Sequence, residues 1–206
     1  MTSPRLTIAF ALLLVSCIIG GFSSADSAPA TPMETIRAAV KDAKAALDDR
    51  ALLPFEKKTR IREIIIPQFD TREMAKRVLG IHWPKYKDRA DEFIPLFVAL
   101  LEKAYLNFST LEAAKGMDTT FLSERVDGDF AEVFTKVVTK NGTPLPIAYR
   151  LLRTAQGWKV YDIVIENISM ISSYRTQFNK IITTSSFDEL LKKLKQKVEE
   201  KEDRQK

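Results

Sequence analysis

The stretch WKVYDIVIENISMISSYRTQF, Trp158 to Phe178, carries two periodicities back to back. Trp158 to Ile165 is rich in β-branched and aromatic residues and reads as a strand. Ile168, Ile171, Tyr174, Phe178, Ile181 and Ile182 then recur at helical spacing, with Ser169 placed as an N-cap. A strand running into a helix with almost no loop can fold that helix back over its own sheet. The two layers then enclose an apolar space, either a packed core or a pocket.

Upstream of this corner lie three more strand patterns: Thr119 to Val126, Phe130 to Thr139 and Leu145 to Arg153. Asp127-Gly128-Asp129, Asn141-Gly142 and Gln156-Gly157 separate the four, and each is a tight-turn signal, so the spacing predicts an antiparallel meander. Alternation in the third strand places Leu145, Ile147, Tyr149 and Leu151 on one face. In the fourth it places Tyr161, Ile163 and Ile165 on one face and Trp158, Val160 and Val164 on the other. A sheet apolar on both sides requires cover on both sides, and the helix after Ser169 can supply one layer.

The rest of the chain reads as helices. Thr31-Pro32-Met33-Glu34 opens the first with a cap, a proline at the first helical position and a glutamate reaching back; Ile36, Val40, Ala43 and Leu47 form its stripe. A second runs from about Pro54 to Ile66, stopped by Pro67. A third is capped by Asp70 and ends at Gly80. Asp88 to Phe108 is the most apolar, with Phe93, Phe97, Leu100 and Ala104 on one stripe and Ile94, Val98, Leu101, Tyr105 and Phe108 on another; Pro95 kinks it or marks its start. These aromatics read first as core, with a cavity wall as the sharper alternative. The last helix starts at Ser186 with Glu189 in capping-box position.

Residues 1–25 read as an export signal: Arg5, the apolar run Leu6 to Ile19, and small residues at Ser23-Ser24-Ala25. A later cleavage site at Ala28-Pro29-Ala30 moves the boundary to 30. Leu14-Val15-Ser16-Cys17 is also similar to a bacterial lipobox, so a lipidated Cys17 is the alternative to a soluble exported chain. Residues 31–198 then form one domain, and 199–206 a charged tail.

With 45% apolar and 29% charged residues among 206, the chain is globular. Its net charge of +5 suits an anionic lipid surface or an acidic partner, and no nucleic-acid-binding signature accompanies it. His82 is the sole histidine, which excludes a histidine metal cluster, and Cys17 is the sole cysteine. Nucleophile elbows and glycine-rich phosphate loops are absent. Asp162, within the fourth strand, reads as a carboxylate bonded to backbone or arginine before it reads as a catalytic acid. Tyr174 fits the apolar stripe of its helix, while Arg175 suits a carboxylate or a headgroup.

Taken in order, several motifs resemble one family. They are Pro67-Gln68-Phe69-Asp70, Leu79-Gly80-Ile81-His82-Trp83, the spaced Phe93, Phe97, Leu100-Leu101 and Tyr105, and Tyr149-Arg150-Leu151. Trp158-Lys159-Val160-Tyr161-Asp162, Ser169, Tyr174-Arg175-x-Gln177-Phe178 and Phe187-Asp188-x-Leu190-Leu191-x-x-Leu194 continue the pattern. The chain resembles the MlaC family, also known as the toluene-tolerance auxiliary component: periplasmic carriers of phospholipid between the two membranes of diderm bacteria. It departs from the family at Asn167, Ser186 and Pro95; the family usually has glycine where Asn167 stands, and asparagine is a residue that tolerates the left-handed backbone.

The resemblance implies an α+β fold: a curved antiparallel sheet of about four strands, similar to the nuclear-transport-factor-like cone, wrapped by about six to seven helices around an apolar cavity. It implies a monomer with phospholipid as cargo and no cofactor, whose partners are an inner-membrane ABC transporter component and an outer-membrane lipoprotein complex. Periodicity nominates Phe97, Leu101, Tyr105, Phe134, Tyr149, Tyr161, Ile163, Ile171 and Tyr174 for the lining, with the concave face of each strand left open. Three other readings stand beside it: a cone-fold isomerase or hydratase using Asp162 or His82, an adaptor that binds only protein, and a carrier of hopanoid-type lipid.

Overall fold

The computed structural model describes residues 30–138 and 142–200. The export-signal segment, Cys17, Thr139, Asn141 of its expected turn and residues 201–206 of the charged tail lie outside the described residues.

Helix α1 (Pro32–Asp48) begins at a full capping box: the Thr31 side chain accepts from the Glu34 amide and Glu34 accepts from the Thr31 amide. α2 (Pro54–Ile65) passes into a 3₁₀ turn at Ile66–Gln68, so Pro67 tightens the helix before ending it. α3 (Thr71–Leu79) is capped by Asp70, and Gly80 ends it at φ 53°. A Cβ at Gly80 would stand 3.3 Å from Arg175 Cδ, so glycine also permits that close approach. The single turn α4 (Trp83–Tyr86) leads to α5 (Ala90–Tyr105), which runs through Pro95 and begins five residues before it. Pro95 therefore does not mark the helix start. α6 (Phe108–Ala114) completes the N-terminal helical half.

Strands β1 (Asp118–Asp127), β2 (Phe130–Val138), β3 (Pro144–Thr154) and β4 (Gly157–Ile165) form the expected antiparallel meander. A fifth, β5 (Ile168–Ser169), was not visible in the pattern because it is only two residues long. Glu166 and Asn167, at φ 48° and 66°, make a two-residue turn of the I′ kind between β4 and β5. The corner is therefore strand, hairpin turn, short strand and then helix α7 (Met170–Thr184), and Asn167 holds the left-handed conformation expected of it. α8 (Phe187–Glu199) follows, capped by Ser186.

Two bulges curve the sheet, one at Leu122 in β1 and one at Tyr161 in β4. The second overturns the expected alternation. Arg150 pairs with Asp162 and Leu151 with Val160, leaving Tyr161 as an extra residue. Tyr161 and Asp162 consequently both face outward, and Ile163 shares the inner face with Val160. Inner rows are Ala131–Leu151–Val160, Val133–Tyr149–Ile163 and Thr135–Ile147–Ile165; Phe134–Ala148–Val164 lies outward. The outer face is only in part the second apolar surface that the sequence suggested, with Phe134, Ala148 and Val164 on it. It carries an ion-pair ladder, Glu132–Arg150–Asp162, and leaves Phe130 exposed.

Three packed clusters surround the inner space. α1 covers the inner sheet face through Ile36, against Val133, Leu151 and Trp158. α1, α2 and α6 meet at Ala46, Leu47, Ile61 and Leu111. The third cluster lies where α3, α5, α7 and α8 pack together. Phe93, Phe97, Phe178 and Phe187 form an aromatic core there, with ring centroids about 5.6–6.1 Å apart. Phe69, bridged to the free edge of β4 at Val160, packs against both this cluster and the sheet cluster.

Candidate functional site

Between these clusters lie two adjoining apolar chambers. The larger, about 340 Å³, is bounded by α1 (Ile36, Val40, Ala43, Leu47), α2 (Ile61, Ile65), α6 (Leu111, Ala114) and the inner sheet face at Val137, Tyr149, Val160 and Ile163. The smaller, about 140 Å³, lies against α5 at Phe97, Val98, Leu101 and Tyr105, closed by Ile66, Thr71 and Met74. Ile65, Phe69, Leu106 and Ile163 line both, so they form the partition. The larger volume falls in the range of small-molecule sites, roughly 300–1,000 Å³.

Polar groups near the chambers are few and satisfied. The Tyr149 hydroxyl faces the larger chamber, hydrogen-bonded to Thr135, and its burial pushes its pKa above the ordinary tyrosine value. Lys44 lines the same chamber and donates to the Met117 carbonyl and to Asp118 at 2.7 Å. That bond, with the Asp118 charge, raises the Lys44 pKa, and the same bond, with the Lys44 charge, lowers that of Asp118. Glu102, on the smaller chamber, accepts from Arg62 at 2.8 Å. Tyr105 stands at the rim, partly exposed, and bonds Tyr174, whose hydroxyl is pushed up to about 12, chiefly by burial.

The nine residues nominated from periodicity separate into three groups. Phe97, Leu101, Tyr105, Tyr149 and Ile163 line the chambers. Ile171 and Tyr174 belong instead to the aromatic core, Ile171 fully buried and Tyr174 edge-on to Phe97 at 5.7 Å. Phe134 and Tyr161 face outward, Tyr161 because of the bulge; the Arg77 guanidinium sits 3.9 Å over its ring. The walls contributed by α1, α2 and Phe69 were missed. Their helical stripes looked like ordinary core, although Ala39 and Ala43, one turn apart on α1, were a signal that this face leaves room.

The two groups considered for catalysis are engaged elsewhere. Asp162, 3% exposed on the outer face, accepts from Ser169 Oγ at 2.6 Å, the Ile171 amide at 3.1 Å and Arg150 at 3.3 Å, so it anchors the start of α7. His82 Nε2 lies 2.8 Å from Asn179 Oδ1 and ties the Gly80–His82 turn to α7. Among the described residues Arg175 pairs with no carboxylate: it donates to the Arg77 carbonyl and so caps α3. Among the described residues no group of three or more His, Cys, Asp or Glu is placed to hold a metal ion, and no helix is long and apolar enough to cross a membrane.

Known proteins resemble this chain in sequence and in fold. The chain is 22% identical over 143 residues to the intermembrane phospholipid transport system binding protein MlaC of Haemophilus influenzae, covering 68% of this chain and 67% of that one. A phospholipid-binding protein from Ralstonia solanacearum, solved in complex with a phospholipid, superimposes with a TM-score of 0.73 at 23% identity, covering 82% of this chain and 97% of that one. The two chains thus share one fold. A family model described as MlaC protein matches residues 34–196, most of the chain's length, and this chain belongs to the MlaC family.

Proposed function

We propose that this protein is a soluble periplasmic carrier that holds phospholipid acyl chains in the two chambers and moves the lipid between an inner-membrane ABC transporter complex and an outer-membrane lipoprotein complex. The observation that carries this reading is the pair of joined apolar chambers, opening at rims where the polar groups are few and already bonded. A methylene moved out of water gains about 0.8 kcal/mol, so a sixteen-carbon chain stays in a membrane by on the order of 12 kcal/mol. A carrier must match that with apolar wall and needs no catalytic group. Phe97, Leu101, Tyr105, Tyr149 and Ile163 are the nominated residues that would touch the chains, joined by Ile36, Val40, Ala43, Ile65 and Phe69. Family membership, the Haemophilus relative's role in intermembrane phospholipid transport and the phospholipid in the Ralstonia structure support the same reading.

The test is occlusion. Ala43→Trp should obstruct the larger chamber, and Leu101→Glu should place a charge in the wall of the smaller. Both variants should fold, yet transfer fluorescent phosphatidylethanolamine between phosphatidylcholine vesicles at least tenfold more slowly than the wild type. Wild-type transfer by both variants would reject the chambers as the lipid site.

A further inference from the structure

An ion pair joins α2 to α5 beside the smaller chamber, which Glu102 lines. Arg62 on α2 donates through Nε to Glu102 Oε1 on α5 at 2.8 Å. Arg62 precedes the partition residue Ile65 by one helical turn, and Glu102 likewise precedes Leu106, so both charges lie on the helix faces that carry the partition. The Arg62 side chain is 52% exposed and that of Glu102 20%, so Glu102 is the inner member of the pair and Arg62 the solvent-facing one. Glu102 holds only Nε; among the described residues the two terminal guanidinium nitrogens make no bond. Lys44 differs, because its ammonium is already shared between Met117 and Asp118.

A two-chain lipid branches at its glycerol. With one chain in each chamber the branch point falls at the partition, and the phosphodiester on the third glycerol position leaves the fork where Arg62 stands. We propose that Arg62 is the headgroup-phosphate site of this protein: its terminal nitrogens donate to two phosphodiester oxygens while Glu102 keeps the guanidinium oriented through Nε. A planar guanidinium suits two oxygens of one phosphate. The ligand class is then a diacyl phosphodiester, and the site discriminates against a diacylglycerol with the same chains. This inference rests on the carrier reading and adds specificity to it.

The experiment offers the protein vesicles containing phosphatidylglycerol, phosphatidylethanolamine and diacylglycerol of matched chains, then measures protein-bound lipids by mass spectrometry. The wild type should enrich the two phosphatidyl lipids over diacylglycerol. Arg62→Gln should lower that enrichment about tenfold, the worth of one charge-assisted pair, with total bound lipid preserved. Arg62→Lys should recover part of it, and Arg60→Gln, at an exposed α2 arginine that pairs with Glu63 and lines neither chamber, should leave it at the wild-type value. Arg62→Gln with wild-type enrichment and normal uptake would overturn the Arg62 assignment alone, as would an equal loss in Arg60→Gln. Displacement of phosphatidyl lipid by excess inorganic phosphate would overturn it too, by marking a free-anion site. Uptake of neither lipid class by the wild type would overturn the carrier reading and the assignment together.

Discussion

Replacing Asp162 with alanine tests the corner on which the sheet and helices are joined. Asp162 is buried and accepts three hydrogen bonds, from Ser169 Oγ, the Ile171 amide and Arg150. Without it the Ile171 amide is left unsatisfied in the core, at about 1–3 kcal/mol, and α7 loses an anion at its N-terminus, worth about 0.3–1 kcal/mol. Arg150 loses less, because Glu132 still holds its Nε at 2.9 Å. The expected loss is therefore about 2–4 kcal/mol, a Tm drop of roughly 4–16 °C for a domain of this size. Asp162→Asn keeps an acceptor and should lose less than half as much. Urea unfolding followed by fluorescence, with Trp158 buried on the same strand as a reporter, measures both. Lipid bound per folded molecule should not change, since Asp162 lies on the face of the sheet away from the chambers. A loss under about 0.5 kcal/mol, the scale of an ordinary surface change, would refute the anchoring role.

Other expectations follow from single residues. Asn167→Gly should leave stability within about 0.5 kcal/mol, whereas Asn167→Val should cost about 1–2 kcal/mol in the same urea assay, because φ 66° clashes with a β-branched side chain. Phe97→Ala should cost about 3–5 kcal/mol, as Phe97 is fully buried and serves both the aromatic core and a chamber wall. Tyr174 titrates higher in the folded chain, at about 12, than its unfolded value of 10.0, and Tyr149 is shifted the same way. The unfolded chain therefore gives up these protons first, so the contribution of these two tyrosines to stability is fully present below pH 10 and is lost as pH rises towards 12. Thermal melts of the double variant Tyr149→Phe with Tyr174→Phe should show a shallower fall over that window.

The local rules carried most of the fold. Thr31, Asp70, Ser169 and Ser186 all cap the helices expected of them, and the three turn signals fall within three residues of the strand ends they separate. Asp162 was legible as a bonded carboxylate because a buried charge in a strand needs partners. The bulge at Tyr161 was not legible, since it depends on how β4 pairs with β3 and leaves no mark in composition. One extra residue moved Tyr161 to the outer face and left Ile163 facing the chambers. Helical stripes carry a similar ambiguity: Ile171 and Ile36 look alike in sequence, yet one is packed among aromatics and the other borders a chamber. Periodicity tells which face points inward, and only tertiary packing tells whether the space inside is filled.

The central claim is that these chambers hold phospholipid. Native mass spectrometry of the protein, purified from the periplasm without detergent and paired with mass analysis of its organic extract, tests this most directly. The account predicts a folded monomer carrying stoichiometric diacyl phospholipid in the wild type and a lipid-free monomer for Ala43→Trp. A wild-type protein with no lipid in its extract, or with the same lipid content as Ala43→Trp, would contradict it.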